Sequence, residues 1–192
     1  MPKKEWPKLY LAGPEIMLPN AEEVARKQKT LCERYGFIGL HPMDNNTNLR
    51  ESSMKTATKI YKGDVRQVRK CDIVVANCNS FRGALVDDGT AYELGYGNAL
   101  GKPSYGYVSD ADSYVLRVMK RYPCYIPGGS KINVDKDGYW LLDDFGTKIN
   151  LMMQCGMVVN GGRLVIGDFE CCLRTVRYDL DNGTLKLRHR WL

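Results

Sequence analysis

Two acids six residues apart, Asp87 and Glu93, bracket a Gly89-Thr90 turn inside the stretch FRGALVDDGTAYELGYGNALGKP, residues 81–103. An apolar run, Ile73 to Ala76, leads into it, so the segment reads as strand, loop and helix N-terminus. In an open parallel sheet that is the edge where ligands bind. A carboxylate facing a crevice there can act as a nucleophile on a sugar carbon. Glu93 also has an ordinary reading. Thr90-Ala91-Tyr92-Glu93 fits the Ser/Thr-x-x-Glu capping box, in which the acid satisfies a free backbone N–H and suits the positive helix end. The residues by themselves leave both roles open.

The elements that must position these acids follow from the pattern on either side. Lys8 to Ala12 is a short apolar run stopped by Gly13-Pro14, a first strand and turn. Asn20 with Glu23 opens a helix that carries Val24, Leu31, Cys32 and Tyr35 at helical spacing and ends at Gly36. Phe37 to Leu40 forms strand two, completing a βαβ opening that implies a parallel sheet. The polar loop from His41 to Thr47 is either substrate-facing or plain connection. Helical spacing resumes from Ser53 to Lys70, and strand three, Asp72 to Asn77, is nearly continuous in apolar residues, as expected when helices cover both faces. The Glu93 helix stops at Gly101-Lys102-Pro103, with Gly95 and Gly97 allowing it to pack closely on the sheet, and Ser104 to Val108 is strand four. A helix from Asp110 to Tyr122, short extended pieces at Lys131 to Val134 and Tyr139 to Leu142, and a helix over Ile149 to Gly156 come next. Val158 to Ile166 reads as a strand or small hairpin, and Asp168 caps a last helix through about Tyr178. The expected fold is a doubly wound, flavodoxin-like parallel sheet flanked by helices, a single domain over 1–192 with an inserted hairpin or loop region at about 108–147.

Composition narrows the function classes. The chain has 192 residues, 44% hydrophobic and 26% charged, which suits one soluble globular domain with a substantial core. No apolar run reaches the length of a membrane helix and MPKKEWPK lacks an apolar signal core, so the expected location is cytoplasmic, without membrane partners. The seven cysteines show no paired Cys-x-x-Cys spacing and read as reduced, mostly buried thiols. With only His41 and His189 besides, no metal site is expected. The net charge of +6 looks spread out apart from Lys3-Lys4 and Lys186 to Arg190, and no nucleic-acid partner is expected.

Asp87-x-Gly89-Thr90-Ala91-Tyr92-Glu93-Leu94-Gly95-Tyr96 resembles the signature of the nucleoside 2-deoxyribosyltransferase family. Leu9-Tyr10-Leu11-Ala12-Gly13-Pro14 is similar to that family's first strand and loop, and Asp64 to its base-contacting aspartate. Ile149-Asn150-Leu151-Met152 is similar to its Asn-Leu-Met segment, which reaches a neighbouring subunit's site. The blocks fall in the family's order, and the ordered set is more specific than any one of them. The resemblance implies transfer of the 2-deoxyribosyl group of a 2′-deoxynucleoside to a free nucleobase, with no cofactor. It implies Glu93 as nucleophile, Asp87 as acid and Tyr10 orienting Glu93, with Asp64, Gly13, Gly89, Asn150 and Met152 binding substrate. It also implies a homo-oligomer built from dimers whose sites a neighbour completes. The chemistry requires Asp87 protonated and Glu93 ionised. The helix end is expected to lower the pKa of Glu93, and burial beside a second acid to raise that of Asp87.

The insert is longer than in compact members of the family, so acceptor preference does not carry over. A relative of the fold hydrolyses deoxynucleoside monophosphates with serine-rich phosphate loops, whereas Glu15 here places an acid where the phosphate would sit. Two other readings stand beside transfer: an N-glycoside hydrolase of nucleosides or their monophosphates with water as acceptor, and a non-catalytic nucleotide-binding module.

Overall fold

The computed structural model describes residues 6–45, 53–142 and 144–187. Lys8–Ala12 forms β1, Ala21–Arg34 α1, Ile38–Leu40 β2, Met54–Lys70 α2, Ile73–Asn77 β3, Asp88–Ala99 α3 and Ser104–Val108 β4. Tyr114–Arg121 is α4, Cys124–Tyr125 β5, Val134–Asp135 β6, Leu151–Val159 α5, Leu164–Ile166 β7 and Phe169–Asp181 α6. The main sheet has five strands in the order β2-β1-β3-β4-β7, and every neighbouring pair is parallel. That is the flavodoxin-like order, with the direction of winding reversing between β1 and β3.

The alternation of each strand sorts its side chains onto two faces. Leu9, Leu11, Ile73, Val75, Tyr105 and Tyr107 face the side covered by α1 and α6, where Phe37, Leu173 and Val176 complete the core. Tyr10, Ala12, Val74, Ala76 and Val108 face the other side with Val68, Leu94 and Met157 from α2, α3 and α5 and with Ile149 just before α5. Five helices start on side-chain caps: Ser53, Asp87, Ser113, Asn150 and Asp168 each accept a hydrogen bond from a backbone N–H of the first turn.

Three segments depart from the sequence expectation. Glu93 does not cap α3: the helix begins at Asp88, Asp87 is the N-cap, and Thr90 is buried in the first turn. The insert is α4 followed by a ribbon in which β5 pairs antiparallel with β6. Its second extended piece reduces to a single bridge from Trp140 to Val134. Finally α5 runs on to Val159, so only Leu164–Ile166 is extended. The turn between them needs Gly162, where a Cβ would lie 1.8 Å from the Ser104 carbonyl oxygen. Of the two helix glycines, Gly97 does lie tight on the sheet, since a Cβ there would meet Val74 Cγ2 at 2.7 Å, whereas Gly95 has nothing within 4 Å. All seven cysteines are free thiols, with Cys32, Cys71, Cys78 and Cys172 buried. No helix among the described residues is long and apolar enough to cross a membrane.

Candidate active site

Tyr10 sits in the middle of β1, paired with Leu40 on one side and Val74 on the other, and is fully buried. Its ring is part of the core beneath α2 and α3, and its hydroxyl donates a hydrogen bond to Glu93 Oε1. Glu93 lies in the second turn of α3, on the flank facing β1 and α2. Asp87, at the start of the same helix, accepts from Thr90 N–H at 2.8 Å and from the Thr90 hydroxyl at 2.9 Å, both on Oδ2. Gly89 leaves room for that fold-back: a Cβ there would lie 3.1 Å from Asp87 Oδ2. Asp64, on the inner side of α2, accepts from Asn45 Nδ2 at 2.7 Å.

Burial dominates the electrostatics. It pushes the Glu93 carboxyl up to about 8, the Tyr10 hydrogen bond acts in the opposite sense, and the charges of Asp64 and Asp87 add to the rise. Burial also lifts Asp64 to about 6, against the hydrogen bond from Asn45. The Tyr10 hydroxyl is held far above its ordinary range by burial and then by Glu93 and Asp64, so it remains a donor. The expectation that the helix end lowers the pKa of Glu93 is therefore overturned. The field of a helix terminus acts within its first turn, and Glu93 lies beyond it in a desolvated position.

The first loop carries a second carboxylate arrangement. Glu15 Oε1 accepts from Asn77 Nδ2 and the Tyr107 hydroxyl, each at 2.9 Å, and from Gln28 Nε2 at 3.3 Å. Its other oxygen lies over Gly13, where an added Cβ would be 2.0 Å from Oε2. A side chain at Gly13 would displace the Glu15 carboxylate from this position. The acid noted in the sequence is thus anchored at the carboxyl edge of the sheet.

Asn150 and Met152 lie elsewhere. Asn150 caps α5 through Oδ1, which accepts from Met152 N–H at 3.0 Å, and Met152 is 75% exposed. They border a groove of about 570 Å³ between α5 and the flank of α3 that bears Asp88, Ala91 and Gly95. Within one chain they are separated from Glu93 by the body of α3. The structure thus gathers Tyr10, Asp64, Asp87 and Glu93 and leaves Asn150 and Met152 facing outward.

Asn45 and Gln67 were not singled out in the sequence. Asn45 Oδ1 accepts from Gln67 Nε2 at 2.8 Å, which fixes the amide so that its nitrogen faces Asp64. The only sequence signal for Asn45 was its place in the polar loop at 41–47, of which Asn46 and Thr47 lie outside the described residues. Among the described residues no group of three or more His, Cys, Asp or Glu is set to hold a metal ion.

Residues 9–152 match the family model described as nucleoside 2-deoxyribosyltransferase. An uncharacterized protein of Schizosaccharomyces pombe is 32% identical over 188 residues, 91% of this chain and 88% of its own. Among solved structures, a 2-desoxiribosyltransferase from Leishmania mexicana aligns with a TM-score of 0.66 at 25% identity, over 90% of this chain and 97% of its own. A conserved protein from Enterococcus faecalis V583 aligns with a TM-score of 0.59 at 18% identity, over 90% and 98%, a likeness of fold alone. By the family match over most of its length, the chain belongs to the nucleoside 2-deoxyribosyltransferase family.

Proposed function

We propose that the protein transfers the 2-deoxyribosyl group between nucleobases through a covalent glycosyl-enzyme on Glu93. The observation that carries this reading is the buried Tyr10 hydroxyl bound to Glu93, with Asp64 and Asp87 close enough to act on the Glu93 charge. The ionised Glu93 carboxylate attacks C1′ of the nucleoside, the C1′–N bond breaks, and Asp87 protonates the departing base. A second base then attacks C1′ from the vacated face, returning its proton to Asp87 and freeing Glu93, with net retention.

The raised pKa of Glu93 belongs to this mechanism. A desolvated carboxylate is poorly stabilised in the free enzyme, and the positive charge that develops at C1′ favours the anion only as the transition state is approached. Asp87 uses Oδ2 to cap α3, which orients the carboxyl group and leaves Oδ1 to face the base. Asp64, held by Asn45, contacts the base. Glu15, fixed over Gly13 by Asn77 and Tyr107, puts a carboxylate in the first loop at the carboxyl edge of the sheet, the loop that by family resemblance meets the 5′ end of the substrate. Like charge there disfavours a 5′-phosphate and supports nucleosides over monophosphates. The outward-facing Asn150 and Met152 complete the site of a second copy in a homo-oligomer.

The test incubates the purified protein with deoxyinosine, with and without adenine, and follows bases and nucleosides by chromatography. Deoxyadenosine formed only when adenine is present, and lost in Glu93→Ala, is the expected result. Hypoxanthine released equally in both conditions would make the enzyme a hydrolase. No turnover of deoxynucleosides or their monophosphates would leave a binding module.

A further inference from the structure

The linear sequence makes the positive charge look dispersed, but the fold concentrates it on one surface. α2 carries Lys55, Lys59, Lys62, Arg66, Arg69 and Lys70 against a single acid, Asp64. Six positive charges less one negative leave +5 on this helix, out of a formal +6 for the chain. All six cations are exposed. At about 100° per residue they fall within about 120° of arc, on the side of the helix away from Asp64 and the buried Val68.

The other charged helices answer their cations with acids. Lys27 of α1 pairs with Glu23, Arg117 and Lys120 of α4 with Asp110 and Asp112, and Arg177 of α6 with Asp181. Among the described residues no ion pair involves Lys55, Lys59, Lys62 or Arg66. They are instead like-charged neighbours three and four positions apart, an arrangement that destabilises a helix. Folding does not explain why four cations are stacked so.

We propose that the outer face of α2 is a docking surface for the phosphate backbone of a nucleic acid. The stripe spans about 22 Å at 1.5 Å per residue. One strand of a duplex presents a phosphate about every 3.4 Å of axis, or about six over that length, the number of cations in the stripe. A lipid surface fits less well, because an interfacial helix sets apolar side chains into the membrane beside its cations, whereas this arc holds only cations and Thr58. Asp64 projects from the opposite side of the same helix, so docking would leave the candidate active site uncovered. The inference is independent of the reaction proposed above and reverses the expectation drawn from the sequence.

The test is fluorescence anisotropy of a labelled 20-base-pair duplex between 50 and 200 mM KCl, comparing wild type with the quadruple variant Lys55→Gln, Lys59→Gln, Lys62→Gln, Arg66→Gln. With five or six phosphates neutralised, the wild-type affinity falls with salt at a log–log slope of about −4.5 to −5.5, with little dependence on base sequence. The variant loses at least about tenfold in affinity at 50 mM, and its slope flattens to about −1 to −2. Its melting temperature does not fall, since like-charge neighbours have been removed, and its turnover of free nucleosides is that of wild type. Absence of wild-type binding at 50 mM would overturn the proposal. So would equal binding by the variant, or capture by phosphatidylserine vesicles that excess duplex fails to displace.

Discussion

Of the groups that act on Glu93, only the Tyr10 hydrogen bond favours its anion, while burial, Asp64 and Asp87 all oppose it. Tyr10→Phe keeps the ring in the core and deletes that one contribution. A hydrogen bond to a charged group is worth about 1.5–3 kcal/mol, so the Glu93 pKa should rise further by about 1–2 units. The acid limb of kcat/KM, expected near pH 8 in the wild type, moves to higher pH by that amount. Activity at pH 7 drops about 10- to 100-fold and is partly regained in alkaline buffer. A pH profile of both proteins checks this, and an unshifted limb would mean that Tyr10 does not act through Glu93. The same displacement makes a stability prediction. Because the folded-state value lies above the ordinary 4.5, the unfolded chain binds fewer protons between pH 4.5 and about 8, and stability falls as pH rises through that window. Glu93→Gln removes this slope and should melt about 3 °C or more above wild type at pH 8, with a smaller difference at pH 5. The resemblance to a known family singled out Tyr10 and Glu93, which the structure brings into contact, but the electrostatics were not legible in the sequence. The sign of the Glu93 shift depends on its burial and on where the helix starts, and a displacement of three residues in the cap reversed it.

At the scale of elements, α3 shows both what the sequence reveals and what it hides. Its strand-loop-helix context was legible because the apolar run of β3 and the glycines around Asp87 mark boundaries locally. The two glycines inside it look equivalent in the sequence, yet the structure separates them. Gly97→Ala would force a Cβ to 2.7 Å from Val74, in the core of the sheet face that holds Tyr10, and overpacking of this kind costs about 1–3 kcal/mol. Gly95→Ala meets nothing and gains helix propensity of up to about 1 kcal/mol. Urea denaturation should therefore move the two midpoints in opposite directions, and a stable Gly97→Ala protein would show that α3 does not press on β3 as described. The misread boundary of α5 has a similar origin. Met157, Val158 and Val159 have strand-like composition, but a helix whose outer side is apolar reads the same way, and both valines are exposed at the surface.

That exposed apolar side bears on the whole molecule. Val158, Val159 and Met152 on α5, Leu85 before α3, and Tyr61 and Tyr92 on the adjoining helices are all at least 49% exposed. Exposed apolar side chains of this kind are where a partner chain can dock. The sharing proposed above requires that the α5 N-terminus of a second copy, with Asn150 and Met152, reach the flank of α3 that holds Glu93, which the chain's own α5 does not face. Two-fold symmetry would make the exchange mutual. The sequence could suggest such sharing only through the resemblance, because no periodicity records which side of a helix a partner covers. The consequence is testable without a structure of the assembly. Glu93→Ala and Asn150→Ala should each be inactive alone. If every site takes Glu93 from one chain and Asn150 from the other, a hybrid dimer of the two variants has one intact site and one doubly defective site. Random exchange makes half of the dimers hybrid, so mixing the variants after mild dissociation should restore about one quarter of wild-type activity. If each chain builds its site alone, no mixture can exceed the sum of its parts, and Asn150 would lose its place in a neighbour's site.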